Sequence, residues 1–322
     1  MILAGIDEAG YGPLLGPLVV GCCAFELEDV DAAAPLPCLW KRLTKRVSKK
    51  RSRTGRKIHV HDSKVVYSPA GGLKELERGV LALAICGELC CDNLEGLLRS
   101  VSGHVLGELP RYAWYVPRDE RFPIECDGLA LRLFANALRV EMQRTRTRLV
   151  HLAARVVLER ELNRLLDATR NKASALFSTA AIHLDHLLQT YGDKGLVIFC
   201  DRQGGRDHYG SLLRLMFDEW ELEIASETEG RAEYRLRRDS SAVRIIFCEK
   251  AEGLCLSVAV ASMLSKYLRE ALMTRFNAFW KQHLPDVAPT AGYYTDGERF
   301  LRDIQTKRRE LGIADAELIR AR

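Results

Sequence analysis

The first apolar run is short and stops at acid. Residues 2–6 lead into Asp7 and Glu8, then into a loop where Gly10, Gly12, Pro13, Gly16 and Pro17 cluster, then into a second apolar run over 18–25. Apolar runs of this length, bounded by glycine and proline, predict buried strands. The same pattern predicts strands at 149–159, 195–201, 222–225, 232–236 and 242–248. Spacing of three and four predicts helices at 40–47, 73–89, 128–143, 162–188, 209–217 and 257–282. The run ending in Asp201 is apolar on both faces, as in a central parallel strand covered by helices. The fold expected is α/β: a mixed β-sheet with the Asp7 and Asp201 strands central, helices on both faces and a helical C-terminal portion.

The remaining segments carry less pattern. Residues 26–36 and 284–290 read as loops, 101–123 as an irregular loop, and 48–57, without apolar periodicity, as a mobile arm. Arg144, Arg146 and Arg148 alternate with Thr, which would set three cations on one face of an extended segment. Strand alternation poses a difficulty at the start of the chain. Asp7 and Glu8 should point to opposite faces. For Glu8 to join Asp7, the chain must leave strand geometry near Ala9-Gly10, where glycine permits the turn.

Composition narrows the class. The chain has 322 residues, 47% hydrophobic and 28% charged, enough for a sizeable core in a soluble protein. No apolar run is long enough to span a bilayer. The first strand follows Met1 directly, without a basic leader, so a cytoplasmic protein with no membrane partner is expected. Five of the ten cysteines (Cys22, Cys23, Cys200, Cys248 and Cys255) lie in apolar runs and read as small core residues. Cys86, Cys90 and Cys91 cluster without zinc-ligand spacing. Net charge is +5, yet residues 41–57 hold ten Lys or Arg and no acid, and without them the chain is net acidic. A concentrated basic segment points to a polyanion, with phosphate contacts sensitive to salt.

Two adjacent acids on a rigid strand end repel each other, and a divalent metal with oxygen ligands is the simplest compensation. The segment 5–19, GIDEAGYGPLLGPLV, closely resembles the opening signature of the type 2 ribonucleases H, ribonuclease HII in particular. Further matches follow in order: Asp62-Ser63-Lys64 with Ser68-Pro69, the passage 158–163 with Ala168, Ala173 and Leu184, and Asp201 at its strand end. Then come Lys250-Ala251-Glu252 before a small-residue helix ending in Lys266, and Gly292-Tyr293-Tyr294-Thr295. Residues from about 93 to 148 lie outside the resemblance and read as an insertion.

This resemblance implies a ribonuclease H-like catalytic domain over 1–265, with the basic arm 41–57 and the insertion, and a C-terminal helical portion, 266–322, packed on the same domain. It implies hydrolysis of the RNA strand of RNA–DNA hybrids, or cutting at embedded ribonucleotides in DNA, leaving 3′-hydroxyl and 5′-phosphate ends. Asp7, Glu8, Asp201 and Glu252 would be the catalytic and metal-binding acids, holding two divalent ions, Mg²⁺ or Mn²⁺. Gly10, Tyr11 and Gly12 would meet the ribose 2′-hydroxyl, Ser63 and Lys64 a backbone phosphate, and Tyr293 the sugar at the RNA–DNA junction. Two positions and one terminal motif depart from the family pattern. Tyr11 replaces an Arg, Glu252 an Asp, and the C-terminal His-Arg-x-Ser-Phe closure is missing. A non-catalytic hybrid- or RNA-binding relative, or another phosphoryl-transfer enzyme on this architecture, are the competing readings.

Overall fold

The computed structural model describes residues 1–31, 34–68 and 70–321. Ala32 and Ala33 of the first loop, Pro69 of the Ser68-Pro69 pair, and Arg322 lie outside the described residues. The strands are β1 (Ile2–Ala9), β2 (Leu18–Leu27), β3 (Val47–Ser48), β4 (Ile58–His59), β5 (Thr147–Val157), β6 (Leu196–Asp201), β7 (Glu221–Thr228), β8 (Arg231–Arg238) and β9 (Ser241–Cys248). Seven form one sheet in the order β5-β2-β1-β6-β9-β8-β7. β1, β6 and β9 run parallel at its centre, and antiparallel strands extend it on either side. The acid-bearing ends of β1 and β6 therefore lie side by side, at the same edge of the sheet.

Side-chain alternation divides the core into two layers. Leu3, Val19, Cys23 and Phe25 pack with the helix Leu256–His283 and the helix Lys74–Cys86 on one face. Ile2, Ile6, Val20, Cys22 and Ile198 pack with the helix Lys172–Tyr191 on the other. The long helix approaches β1 closely because its facing residues are small. Ser257 donates to the Leu3 carbonyl (2.8 Å) and Ser265 to the Asp7 carbonyl (3.1 Å). A Cβ on Gly5 would lie 2.1 Å from the Val258 nitrogen, a backbone atom that cannot swing aside. Gly5→Ala is expected to destabilise the chain by about 3 kcal/mol, at the upper end of overpacking costs. A urea midpoint equal to wild type would contradict this close packing.

Several expectations need correction. The basic stretch 49–57 is a mostly exposed, irregular connection between β3 and β4, tethered at Lys49 and Arg51. β3 pairs with β4 in a separate two-stranded parallel sheet, and Trp40 donates to the Val60 carbonyl (2.9 Å). Lys49 reaches the Gly253 carbonyl (2.6 Å), while Arg51 pairs with Glu75 (3.3 Å). The helix expected at 40–47 shrinks to Leu39–Arg42, because Val47 joins β3. Arg144, Arg146 and Arg148 share no face: Arg144 ends a helix against Glu141, Arg146 turns at φ 47°, and Arg148 pairs with Glu26 on β2. The stretch 101–123 is irregular but not superficial. Tyr112, Trp114 and Tyr115 are buried in the main core, and Arg275 is locked between Glu95 and Glu120. Local pattern misses this because the burial comes from the distant helix Leu256–His283. On the β7–β8 hairpin, Arg231, Arg235 and Arg237 pair with Glu233 or Glu223. Among the described residues no helix is long and apolar enough to cross a membrane.

Candidate active site

β1 ends at Ala9, and Gly10 turns the chain with φ 86°. Asp7 lies on the sheet face covered by the long helix, beside Ser262, and its Oδ1 accepts from the Glu8 nitrogen (2.8 Å). Glu8 starts from the opposite face, but at the sheet edge its carboxylate interacts with those of Asp201 and Glu252. Asp201 closes β6, and its Oδ1 accepts from the Ala251 nitrogen (3.1 Å). That bond fixes the short helix Ala251–Leu254, whose Glu252 hydrogen-bonds back to Asp201. Four acids spread over the chain thus face one another at the ends of β1, β6 and β9. Among the described residues, no three of them bring ligand oxygens within 4.8 Å of one another.

Electrostatics agree with this crowding. Burial pushes Asp7 well above its ordinary value, helped by the charges of Glu8 and Asp201. Burial also lifts Glu8 to about 7, with Asp201 adding and Lys64 opposing. Asp201 is raised by burial against its backbone hydrogen bonds, and Glu252 reaches about 7 through burial and Asp201. Glu8 Oε2 and Glu252 Oε2 are buried without a hydrogen-bond partner. These four acids make no salt bridge to an arginine among the described residues. Lys64, exposed at the rim, is the nearby cation.

A pH dependence follows. Unfolded glutamates ionise near 4.5, whereas folded Glu8 and Glu252 hold a proton up to about 7. Between those values the folded state binds more protons, so the metal-free protein should lose stability as pH rises through 7. Thermal melts in chelator should fall between pH ~5 and pH ~8, and fall less steeply for Asp201→Asn, which removes one repelling charge. Equal slopes would show that the acids do not interact.

The other expected site residues divide. Lys64 is exposed beside the acids. Ser63 is buried: its nitrogen donates to Ser262 Oγ (3.3 Å), and Ser262 Oγ donates to Ser63 Oγ (3.1 Å). It therefore backs the Asp7 side of the site and does not face solvent. Gly10 is enclosed, since a Cβ there would meet the Pro17 carbonyl at 2.5 Å, while Gly12 opens onto free space. The Tyr11 ring lies beneath Lys172 (5.1 Å). Tyr293 is 48% exposed, with the Arg269 guanidinium 5.6 Å from its ring.

Two buried arginines that sequence reading left out join these pieces. Arg269 donates to the Ala291 carbonyl (2.8 Å) and packs against Gly10. Arg320 donates to the carbonyls of Gly10 (2.5 Å) and Tyr11 (3.1 Å). Burial lowers Arg320 to about 10, with Arg269 adding and Glu159 opposing. Arg269 sits in an apolar helix and Arg320 at the chain end, so neither carried a local signal.

The chain is similar over nearly its whole length to several solved structures. The ribonuclease HII of Archaeoglobus fulgidus, solved in complex with PCNA, is 15% identical, with 100% of this chain and 95% of that one covered and a TM-score of 0.44. Ribonuclease H2 of Pyrococcus horikoshii OT3 is 15% identical, with 99% and 92% covered and a TM-score of 0.43. Bst-RNase HIII in complex with Mn²⁺ is 13% identical, with 99% and 66% covered and a TM-score of 0.44. The chain resembles the type 2 ribonucleases H. No protein-family model matches it, and neither does any curated protein.

Proposed function

We propose that the chain is a metal-dependent endonuclease of the cytoplasm that hydrolyses the RNA strand of RNA–DNA hybrids, leaving 3′-hydroxyl and 5′-phosphate ends. The observation that carries this reading is the meeting of Asp7, Glu8, Asp201 and Glu252 at one sheet edge, with no arginine among the described residues paired to them. An all-oxygen donor set with two orphaned buried carboxylate oxygens suits hard divalent ions, Mg²⁺ or Mn²⁺. Asp7, Glu8, Asp201 and Glu252 would hold two such ions. When bound, they supply positive charge against the scissile phosphate and activate water for in-line attack.

The chain's own residues do the positioning. Ser262 and the Ala251 nitrogen hold Asp7 and Asp201 in place. Lys64 offers an ammonium to the phosphate backbone on the same side, and Lys49 and Lys172 extend the positive rim. The loop 10–12, braced from behind by Arg320, presents Gly12 and the Tyr11 ring to the substrate. Backbone contact there would read a ribose 2′-hydroxyl, the group that separates RNA from DNA. Exposed Tyr293 offers its ring to the adjoining sugar.

The test is cleavage of an end-labelled RNA–DNA hybrid, with an all-DNA duplex and single embedded ribonucleotides as parallel substrates. Hybrid cleavage under Mg²⁺ or Mn²⁺, stopped by chelator, is the result expected. Salt-sensitive hybrid binding without cleavage under either ion would make the chain a binding protein instead.

A further inference from the structure

Away from the carboxylates, the sheet face under the helix Lys172–Tyr191 holds a second group of metal-ligating side chains. Cys22 on β2, His151 on the edge strand β5 and His183 on the helix bring a sulfur and two ring nitrogens within 4.8 Å of one another. β2–β5 pairing sets His151 opposite Ala24, so it shares a face with Cys22 two residues away. Read from sequence, Cys22 was a core residue and these histidines were unremarked. Three distant segments had to fold before they met.

We propose that Cys22, His151 and His183 form a second metal centre, distinct in chemistry from the acidic site, that takes a thiophilic divalent ion such as Zn²⁺. Donor type favours this choice, because a thiolate and two imidazoles suit Zn²⁺ and are poor ligands for Mg²⁺. Tetrahedral donors around zinc lie about 3.5 Å apart, so only a small inward movement of these side chains is needed. His183 Nε2 donates to the Val20 carbonyl (3.0 Å). That bond fixes the tautomer and leaves Nδ1 as the lone-pair nitrogen, the usual outer support of a metal-bound histidine. His151 Nε2 is buried with no hydrogen-bond partner, and an ion would satisfy it.

Burial holds the free Cys22 thiol well above its ordinary value, so its thiolate forms there with an ion beside it. Binding releases the Cys22 proton to solvent and leaves a thiolate against the ion. Burial holds His151 near 3 and His183 near 4, so both rings are neutral and able to ligate at physiological pH. The groups facing the cluster are the Arg155 guanidinium, already paired with Glu161 (2.9 Å), and the imidazoles of His104 and His186. Exposed His186, one helical turn after His183, stacks on His151 with ring centroids 4.5 Å apart. It stands at the solvent side, where it or a water can complete the coordination. An ion here would tie the edge strand β5 and the helix to β2.

The test uses the full chain, stripped with chelator and titrated with Co²⁺ as the spectroscopic substitute for Zn²⁺. One Co²⁺ should bind with a near-ultraviolet thiolate-to-cobalt charge-transfer band and visible bands of tetrahedral intensity. Asp7→Asn should keep both, since carboxylates give no such band. Cys22→Ser should lose the charge-transfer band, and His151→Gln should weaken Co²⁺ binding by about a hundredfold. Zn²⁺ should compete the signal away and raise the wild-type melting temperature. A wild-type protein without the charge-transfer band overturns the proposal, as does a band that survives Cys22→Ser. Should Cys22→Ser fail to fold, an unchanged Co²⁺ affinity in His151→Gln overturns it equally. None of these readouts depends on nuclease activity, so the two functional readings stand or fall separately.

Discussion

Asp7→Asn is expected to lower hybrid cleavage by about 10³-fold or more, while making the metal-free protein more stable than wild type. The two effects share one cause. Asp7 is buried on the strand end, where burial, Glu8 and Asp201 all oppose its ionisation. The folded chain is held in a state that its own electrostatics disfavour, as expected where function requires a concentrated charge. Asn keeps the shape and removes the charge, so repulsion within the cluster falls. The same substitution takes away a ligand that a divalent ion would need. Steady-state cleavage with Mg²⁺ and with Mn²⁺, beside thermal melts in chelator, checks both halves. Full activity in Asp7→Asn would remove the proposed site. Lost activity with lowered stability would show that Asp7 serves the fold, not the chemistry.

Arg320→Ala should be the most damaging change outside the acids, at about 3–5 kcal/mol. Arg320 is 2% exposed and forks between the carbonyls of Gly10 and Tyr11, with buried Glu159 among the groups around it. Its removal strands those acceptors and leaves Glu159 without that compensating charge. The acceptors belong to the loop proposed to read the sugar. For protein that remains folded at low temperature, the hybrid kcat/KM should fall by about 10²-fold, the scale of an ångström-level misplacement. Urea unfolding measures the first effect and cleavage kinetics the second. Arg320→Lys should restore part of the stability but little of the activity, because an ammonium cannot make the planar fork. Equal recovery of both would mean that the arginine only fills space.

The missing C-terminal motif takes on a different meaning here. The chain ends Ile319-Arg320-Ala321-Arg322, without the closure common in the family it resembles. Even so, the Arg320 backbone nitrogen donates to the Leu14 carbonyl (3.0 Å), and Asn163 holds the carbonyl of Ile319 (2.9 Å) and the nitrogen of Ala321 (2.7 Å). Residues 319–321 are thereby fastened over the glycine-rich loop. Glu252 in place of Asp likewise has a geometric counterpart, reaching Asp201 from the short helix that follows β9.

Local sequence was enough for the parts governed by local rules. Apolar runs ending in Asp7 and Asp201 specify central strands because both faces of those strands must be buried. Gly10 permits the turn that ends β1 because glycine tolerates a positive φ. The order of the acids could be read, but not their meeting, since that depends on β1, β6 and β9 lying parallel side by side. Tertiary structure alone decided the rest. It held the ends of the basic stretch between the short strands β3 and β4 and sank the aromatic residues near 112–115 into the core. It also turned Ser63 inward, set Arg269 and Arg320 behind the loop, and brought Cys22 together with His151 and His183. Apart from the β3–β4 pairing, which joins residues eleven positions apart, each of these depends on partners a hundred or more residues away or on a buried charge finding its acceptors. Neither periodicity nor composition encodes such distances, because both describe neighbours along the chain.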